Sequence, residues 1–231
     1  MNEQQKKRLP AGQYLTTKWP VLHAGTVPEV DLDTWTFTIK GLLDNDLILT
    51  WADFMRLPKA TYRCDIHCVT TWSRFDNEWE GVPFGAVMDL APVDPLARYV
   101  TAFAEQGYST NIPLEELTKP GVMFAYRHDG MALTPEHGYP LRLLVPQLYF
   151  WKSAKWIRGI EFMKEDRPGF WEERGYHLLG DPFIEDEQNP DGQRFRDDPQ
   201  WFGDDSPEAL AAWKERIRSQ RDGRGGTSDD L

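Results

Sequence analysis

The sequence is poor in cysteine, in positive charge and in long apolar runs, and each shortage excludes a class of protein. Only 2 of the 231 residues are cysteine, too few for a disulfide framework, so we expect reduced thiols. The formal net charge of -11 argues against a general nucleic-acid surface or an anionic-membrane surface. No apolar run approaches the roughly 20 residues of a membrane span, and residues 1–10 resemble neither a secretory nor a twin-arginine signal. These absences predict a cytoplasmic protein with no nucleic-acid partner and no membrane span.

Aromatic residues and short apolar segments are what the sequence does contain. Aromatics make up 13% of the chain, including 10 tryptophans, which argues against a disordered protein despite a mean hydropathy of -0.59. Trp35, Phe37 and Ile39 alternate with polar residues and predict a half-buried strand that ends at Gly41. The other predicted strands cover 47–49, 61–68, 98–104, 122–126, 141–145 and 157–162, and short helices are predicted at 51–57, 83–90 and 113–117. Because these elements follow no regular β-α-β rhythm, they favour an α+β fold with mixed sheets and short interspersed helices.

Proline, glycine and charge divide the chain into three predicted parts. Residues 1–33 are rich in proline and glycine and predict an N-terminal extended arm. Residues 34–180 predict one domain, and residues 181–231 predict an acidic linker, a C-terminal helix and a disordered end. Much of the negative charge lies in this last part, so the net charge says little about an active site.

One cysteine, Cys68, lies where a predicted strand ends and the polar turn Val69-Thr70-Thr71 begins. A thiolate is a ligand for soft and late metals, so this position could hold a metal or a redox centre. Cys68 could equally be a small core residue, since free cysteine is often buried. A zinc site with Cys64 and His67 is disfavoured, because strict alternation in a strand points His67 away from both thiols. The predicted strand residues on the face of Cys68 are Tyr62, Cys64 and Ile66.

A further interpretation makes Cys68 a nucleophile, as in a cysteine-dependent hydrolase. Such a thiol needs a general base within hydrogen-bond reach. The candidate bases are His128, His137 and His177. His137 and His177, like His23, are each, taken alone, more typical of a structural hydrogen-bonding residue. The sequence does not fix the distance of any candidate base from Cys68.

A cationic block lies further along the chain. Arg142 stands inside an apolar predicted strand and is flanked by leucines, where an unpaired charge would be costly. Its guanidinium has the fork geometry that matches a phosphate group. Lys152 and Lys155, with Ser153 between them, could complete an anion pocket. The alternative is a solvated basic patch whose cations pair with nearby carboxylates.

Three short motifs carry a resemblance to a known family. They are Cys68-Val69-Thr70-Thr71-Trp72-Ser73, His137-Gly138-Tyr139-Pro140-Leu141-Arg142 and Lys152-Ser153-Ala154-Lys155-Trp156. In this order and at this spacing they resemble the sulfite oxidase family of molybdopterin-dependent oxidoreductases, in its small single-domain bacterial branch. The resemblance covers residues 10–182. It implies a mixed α+β fold of the sulfite oxidase type around one Mo-molybdopterin cofactor.

The resemblance also implies roles for individual residues. Cys68 would be the protein's thiolate ligand to molybdenum and a catalytic residue. Trp72 and Arg74 follow it closely in sequence and are candidates for lining the approach of the substrate. At Val21 and Leu22, apolar residues replace polar residues of the family. The positions that would bind the cofactor are Val21, Leu22, His23, Ser109, His137, Arg142, Ser153, Ala154 and Lys155.

The implied activity is oxygen-atom transfer on a small molecule, with sulfur compounds as candidate substrates. Sulfite oxidases carry an arginine soon after the ligand cysteine, whereas Val69-Thr70-Thr71-Trp72 stands here and is more similar to the methionine-sulfoxide reductase branch. No haem, iron–sulfur or flavin motif is visible, so we expect a separate electron-transfer partner. The alternatives are a non-redox module that binds a phosphorylated pterin-like ligand and a cysteine-dependent hydrolase.

Overall fold

The computed structural model describes residues 1–185 and 189–196. Within these ranges the chain forms short α-helices and strands, with 3₁₀ helices at Glu105–Gly107, Pro135–His137, Phe150–Lys152 and Glu172–Arg174. The mixed sheets and the few short helices confirm the predicted α+β class. In chain order the elements are α1 Glu3–Lys7, β1 Tyr14–Leu15, β2 Thr36–Gly41, β3 Leu47–Thr50, α2 Trp51–Phe54, β4 Ala60–His67, β5 Trp72–Pro83, α3 Phe84–Met88, β6 Tyr99–Ala104, β7 Ser109–Pro113, α4 Leu114–Leu117, β8 Met123–His128, β9 Met131–Ala132, β10 Arg142–Leu144 and β11 Ile157–Met163.

The strands form two sheets. A five-stranded sheet has the order β3-β2-β11-β6-β7, in which β2 and β11 run parallel with Ile39 opposite Ile160. A six-stranded sheet follows β1-β5-β8-β10, with β4 paired to β5 and β9 paired to β8. The main core joins the two sheets, since Phe37 of β2 packs edge-on against Phe124 of β8 with ring centres 5.0 Å apart. Apolar faces of both sheets are therefore buried against each other.

Local sequence signals account for several of these elements. Phe37 and Ile39 are buried in β2, as their alternation predicts. The hydroxyl of Thr50 accepts a hydrogen bond from the Asp53 amide at 3.2 Å, while the Asp53 carboxylate accepts one from the Thr50 amide at 3.3 Å. This reciprocal pair confirms the predicted capping box at the start of α2. The helix ends at Phe54, before the predicted end at residue 57.

Both ends of the described chain pack against the middle of the chain. Tyr14 of β1 lies opposite Trp72 of β5 in a parallel pair. The hydroxyl of Tyr149 donates to the carbonyl of Asp191 at 2.9 Å. The predicted domain boundaries at 33/34 and 180/181 stay predictions, and the predicted C-terminal helix and disordered end lie outside the described residues. No helix in the described part of the chain is long and apolar enough to cross a membrane.

Candidate functional site

The first component of the site is the turn that follows β4. The Cys68 amide donates to the carbonyl of Trp72 at 2.8 Å, and the Thr71 amide donates to the carbonyl of Cys68 at 3.0 Å. Thr71 has a φ of 77°, the left-handed conformation that this tight reversal needs. The turn therefore places the Cys68 side chain at the start of a β4–β5 hairpin connection.

The thiol of Cys68 faces a largely apolar cluster. Its Sγ lies 3.1 Å from the hydroxyl oxygen of Thr70. Burial raises the pKa of Cys68, while the Thr70 hydrogen bonds and the positive charges of Arg194 and Lys155 oppose that increase. A thiolate at this buried position needs a cation, such as a metal ion, to stabilise its negative charge. The buried members of the cluster are Ile66, Cys68, Trp72, Trp79, Met123, Ala125, Leu133 and Leu144.

The second component is Arg142, the first residue of β10. Its guanidinium donates to the carbonyls of His137 and Ser153 at 2.9 and 2.8 Å, and its central carbon lies 4.2 Å from the centre of the Phe150 ring. The Nε atom is buried and has no hydrogen-bond partner. Burial lowers the pKa of Arg142 to about 9, and the phenol of Tyr108 opposes this decrease. Arg142 is thus a buried cation that still has a donor to offer.

Lys155 brings a second cation to Arg142. Its Nζ donates to the carbonyl of Glu136 at 2.6 Å. Burial and the charge of Arg142 lower the pKa of Lys155 to about 7. Gly138 permits the approach, because a Cβ atom at this position would lie 3.1 Å from Cβ of Lys155 and 3.2 Å from Cβ of Arg142. The φ of 110° at Gly138 also favours glycine.

Ser153 and Ala154 attach the segment that carries Lys155 to β10 and the residue after it. The Ser153 hydroxyl accepts from the Val145 amide at 2.9 Å, and the carbonyl of Ala154 accepts from the Leu143 amide at 2.8 Å. His137 stacks on Trp19 of the arm, with ring centres 3.8 Å apart. The structure therefore brings together five of the predicted cofactor-binding residues, namely His137, Arg142, Ser153, Ala154 and Lys155.

The other predicted cofactor-binding residues lie further out. Val21 and Leu22 are exposed to 45% and 39%. The ring of His23 packs edge-on against Trp156, next to Lys155, with ring centres 5.5 Å apart. Ser109 begins β7, and its carbonyl accepts from the Phe170 amide at 2.8 Å.

Two of the predicted basic residues are already paired. Nη2 of Arg74 lies 2.6 Å from the carboxylate of Asp129. Nζ of Lys152 lies 2.6 Å from the carboxylate of Glu172, and both side chains of this pair are completely buried. Lys152 therefore belongs to a structural ion pair, and its charge is not open to an anion.

The sequence reasoning missed Tyr108 and Glu172. The Tyr108 hydroxyl donates to the carbonyl of Trp151 at 2.6 Å and lies in the field of Arg142. Glu172 also accepts from the indole of Trp151 at 2.9 Å. A charged residue directly after the aromatic segment Gly169-Phe170-Trp171 is a signal for Glu172. Tyr108 adjoins the predicted contact Ser109, but its own role could not be predicted, because its partner Trp151 lies far along the chain.

The comparisons with known proteins agree with this geometry. A family model described as the oxidoreductase molybdopterin binding domain matches residues 24–171. The chain belongs to this family. It is 48% identical over 180 residues to the uncharacterized oxidoreductase YuiH of Bacillus subtilis (strain 168), which covers 78% of this chain and 91% of that protein. It is 29% identical over 191 residues to a sulfite oxidase of Arabidopsis thaliana, which covers 67% of this chain and 49% of that protein.

A solved structure shares the fold. The sulfane dehydrogenase SoxCD from Paracoccus pantotrophus matches with a TM-score of 0.58 and 24% identity, over 62% of this chain and 42% of that chain. The sulfite oxidase-type α+β fold predicted from the sequence is therefore confirmed. Membership of the family makes this protein a molybdopterin-binding oxidoreductase with Mo-molybdopterin as its cofactor.

The residues present fit that cofactor. Its phosphate is an anion, and the cations Arg142, which is buried, and Lys155, which is half-buried, both lie against Gly138. The partnerless Nε of Arg142 is a donor of the kind that charge-assisted bonds to phosphate use. Cys68 offers a thiol of the type that soft and late metals bind.

Proposed function

We propose that this protein catalyses oxygen-atom transfer on a small sulfur-containing substrate, with Cys68 as the thiolate ligand of molybdenum. The observation that carries the proposal is the convergence of two distant motifs. The Arg142 guanidinium carbon lies 5.6 Å from the centre of the Trp79 ring, and Trp79 belongs to the same buried cluster as Cys68. A thiol that can bind a metal and a cation that can bind a phosphate therefore adjoin one aromatic cluster, which supports a cofactor with a metal and a phosphate.

Each of these residues has a role that follows from its surroundings. Arg142 and Lys155 would neutralise the phosphate, and the thiolate of Cys68 would anchor the metal. When bound, the cofactor supplies a metal that changes oxidation state as oxygen moves to or from the substrate. The apolar cluster around Cys68 keeps water away and strengthens these electrostatic interactions.

Trp72 and Arg74 would act at the substrate side. The indole Nε1 of Trp72 is buried without a hydrogen-bond partner, so it can donate to an oxygen atom that enters the site. Arg74 is paired with Asp129, and we propose that it supports this wall of the site without binding an anion itself. His23 and Ser109 are proposed outer cofactor contacts, as are Val21 and Leu22.

A sulfur substrate is favoured by the similarity to sulfite oxidase and by the turn sequence. The residues Val69-Thr70-Thr71-Trp72 lack the arginine of sulfite oxidases, so a neutral sulfoxide is as good a candidate as sulfite. A cytoplasmic location and a separate electron-transfer partner belong to the same proposal.

The two alternatives explain less. A cysteine hydrolase needs a base beside the thiol, yet the partner of the Cys68 sulfur is the Thr70 hydroxyl, and no histidine in the described part of the chain hydrogen-bonds to it. A non-redox pterin-binding module accounts for Arg142 and Lys155 but gives Cys68 no role.

The test compares the purified protein with Cys68→Ser and with Cys64→Ser, a matched control in the preceding strand. We expect about one molybdenum per chain and a thiolate-to-metal absorption band in the native protein and in the control. Cys68→Ser should keep the pterin and lose both the band and dye-linked turnover of sulfite or sulfoxides. Full turnover by Cys68→Ser would contradict the assignment of Cys68 as the molybdenum ligand. Bound pterin without turnover of any such substrate would favour the non-redox module.

A further inference from the structure

Two residues outside the matched family segment hold the turn that carries Cys68. Nε2 of Gln13 donates to the carbonyl of Cys68 at 3.0 Å, and Nη1 of Arg194 donates to the carbonyl of Val69 at 2.9 Å. Gln13 precedes and Arg194 follows the matched residues 24–171. Because the two acceptors are successive carbonyls, these bonds fix the two peptide planes that follow the α-carbon of Cys68.

Arg194 is itself held firmly. Its side chain is 3% exposed, and its Nε donates to the carbonyl of Asp191 at 3.1 Å. The amide of Arg194 donates to the side-chain oxygen of Asn189 at 3.2 Å. The guanidinium lies 5.7 Å from the centre of the Tyr149 ring, and the Tyr149 hydroxyl donates to the same Asp191 carbonyl. We call residues 189–196 the C-terminal bracket. They hold the guanidinium of Arg194 in contact with the turn.

Gln13 approaches the turn from the arm. Its Oε1 accepts from the Ser73 hydroxyl at 3.2 Å, and Ser73 is hydrogen-bonded to Nδ1 of His67 at 2.8 Å. The arm and the C-terminal bracket also touch each other, since a Cβ atom at Gly12 would lie 2.8 Å from Cβ of Asp191. The turn is therefore held by two segments that pack against one another.

Arg194 carries a donor that its described contacts do not use. Its Nη2 is buried without a hydrogen-bond partner, and an unsatisfied buried donor is destabilising. A neutral side chain of similar size would avoid that cost but would leave the Val69 carbonyl without the Arg194 donor. What the guanidinium adds is a bond to the residue that follows Cys68 and a positive charge in the field of its sulfur.

We propose that Gln13 and Arg194 are positioning residues for the metal ligand, which fix the turn so that the Cys68 sulfur keeps one orientation toward molybdenum. The inference rests on the proposed function. It makes Gln13 and the C-terminal bracket parts of the active unit, although the family model, which matches residues 24–171, includes neither of them.

The experiment uses the full chain with the variants Arg194→Met, Arg194→Lys and Gln13→Ala. Ile112→Val, in the core of the five-stranded sheet, is the control for a loss of stability that leaves the turn intact. Hydrogen exchange of the Thr71 amide, which donates to the Cys68 carbonyl, is measured on protein prepared without cofactor. The absorption band, kcat and KM are measured on protein loaded with cofactor.

We expect Arg194→Met and Gln13→Ala to speed the exchange of the Thr71 amide, to shift the band and to lower kcat about 10- to 100-fold with KM little changed. Arg194→Lys should recover part of each effect, and Ile112→Val should show none. The double variant Arg194→Met with Gln13→Ala should lose less than the product of the two single losses, because both residues fix the same turn.

Other outcomes are distinguishable. A native protein without a thiolate-to-metal band would overturn the proposed function, and this inference with it. A native band that Arg194→Met leaves unshifted would overturn the inference alone. A KM increase confined to anionic substrates, with an unshifted band, would make Arg194 a substrate-binding residue and would likewise overturn it.

Discussion

At the scale of single residues, the dominant feature is a pair of cations, the buried Arg142 and the half-buried Lys155. The guanidinium of Arg142 donates to the carbonyl oxygens of His137 and Ser153, and the ammonium of Lys155 donates to the carbonyl of Glu136. Holding two like charges close together in a largely buried place destabilises the fold. An anionic ligand removes that penalty, so the fold and the cofactor should stabilise each other.

This penalty should be visible in the pH dependence of stability. The folded pKa of Lys155, about 7, lies below its ordinary value of 10.5. Between these values the unfolded chain binds more protons, so the free energy of unfolding should rise with pH. The penalty is complete below pH 7 and is relieved as the pH increases from there. The slope contributed by one proton is at most about 1.4 kcal/mol per pH unit.

Urea unfolding of cofactor-free protein at several pH values between 6 and about 9 measures this slope. Lys155→Met should lose this contribution, while Lys119→Met, at an exposed and paired lysine, should keep it. Parallel curves for the native protein and Lys155→Met would contradict the prediction.

At the scale of elements, the sequence predicted those strands whose pattern is local. β2, β6 and β11 lie within a residue or two of their predicted positions, because their buried faces repeat regularly. β5, with 12 residues, was missed. Its segment carries Arg74 and then Asp76, Asn77 and Glu78. Asp76 has a φ of 58°, and the register shifts near Glu80. These irregularities hide the alternation from which a strand is predicted.

The same contrast holds for the site. His137, Arg142 and Lys155 are near neighbours in sequence and could be identified from motifs. The partners that complete the site come from remote segments, as with Glu172 for Lys152 and Arg194 for Val69. No local pattern encodes such pairs, because only tertiary packing decides which buried charge meets which.

The Lys152–Glu172 pair joins the 3₁₀ helix Phe150–Lys152 to the segment that begins at Gly169. Glu172→Ala would leave Lys152 as an uncompensated buried charge, and such a change costs about 3–5 kcal/mol. The free energy of unfolding in urea should fall by that amount, whereas Glu173→Ala at the neighbouring exposed position should change it little. A loss for Glu172→Ala no larger than that of the control would show that the pair is not a structural link.

At the scale of the whole molecule, the charge of the surface and the charge of the site have opposite signs. The chain carries a net charge of -11, while Arg142, Lys155 and Arg194 are gathered at the site. The proposed electron-transfer partner would meet the surface before it meets the site, so long-range attraction should favour a cationic partner.

Salt should therefore act differently on different electron donors. As ionic strength rises toward about 0.5 M, screening should slow reduction of the loaded enzyme by a cationic dye several-fold and leave a neutral dye nearly unaffected. Stopped-flow rates at increasing salt give the comparison. Equal salt dependence for cationic, neutral and anionic dyes would argue that the surface charge plays no part in electron delivery.

The parallel pairing of β2 with β11 has a consequence for biosynthesis. Ile39 leaves the ribosome early, but its partner Ile160 is made near the end of the matched segment. Until then one edge of β2 has no neighbour, and its backbone groups are open to other chains. A contact between such distant residues also closes slowly, since a long loop must be ordered first. The fold that receives molybdopterin is therefore completed late, when nearly the whole catalytic segment has been translated.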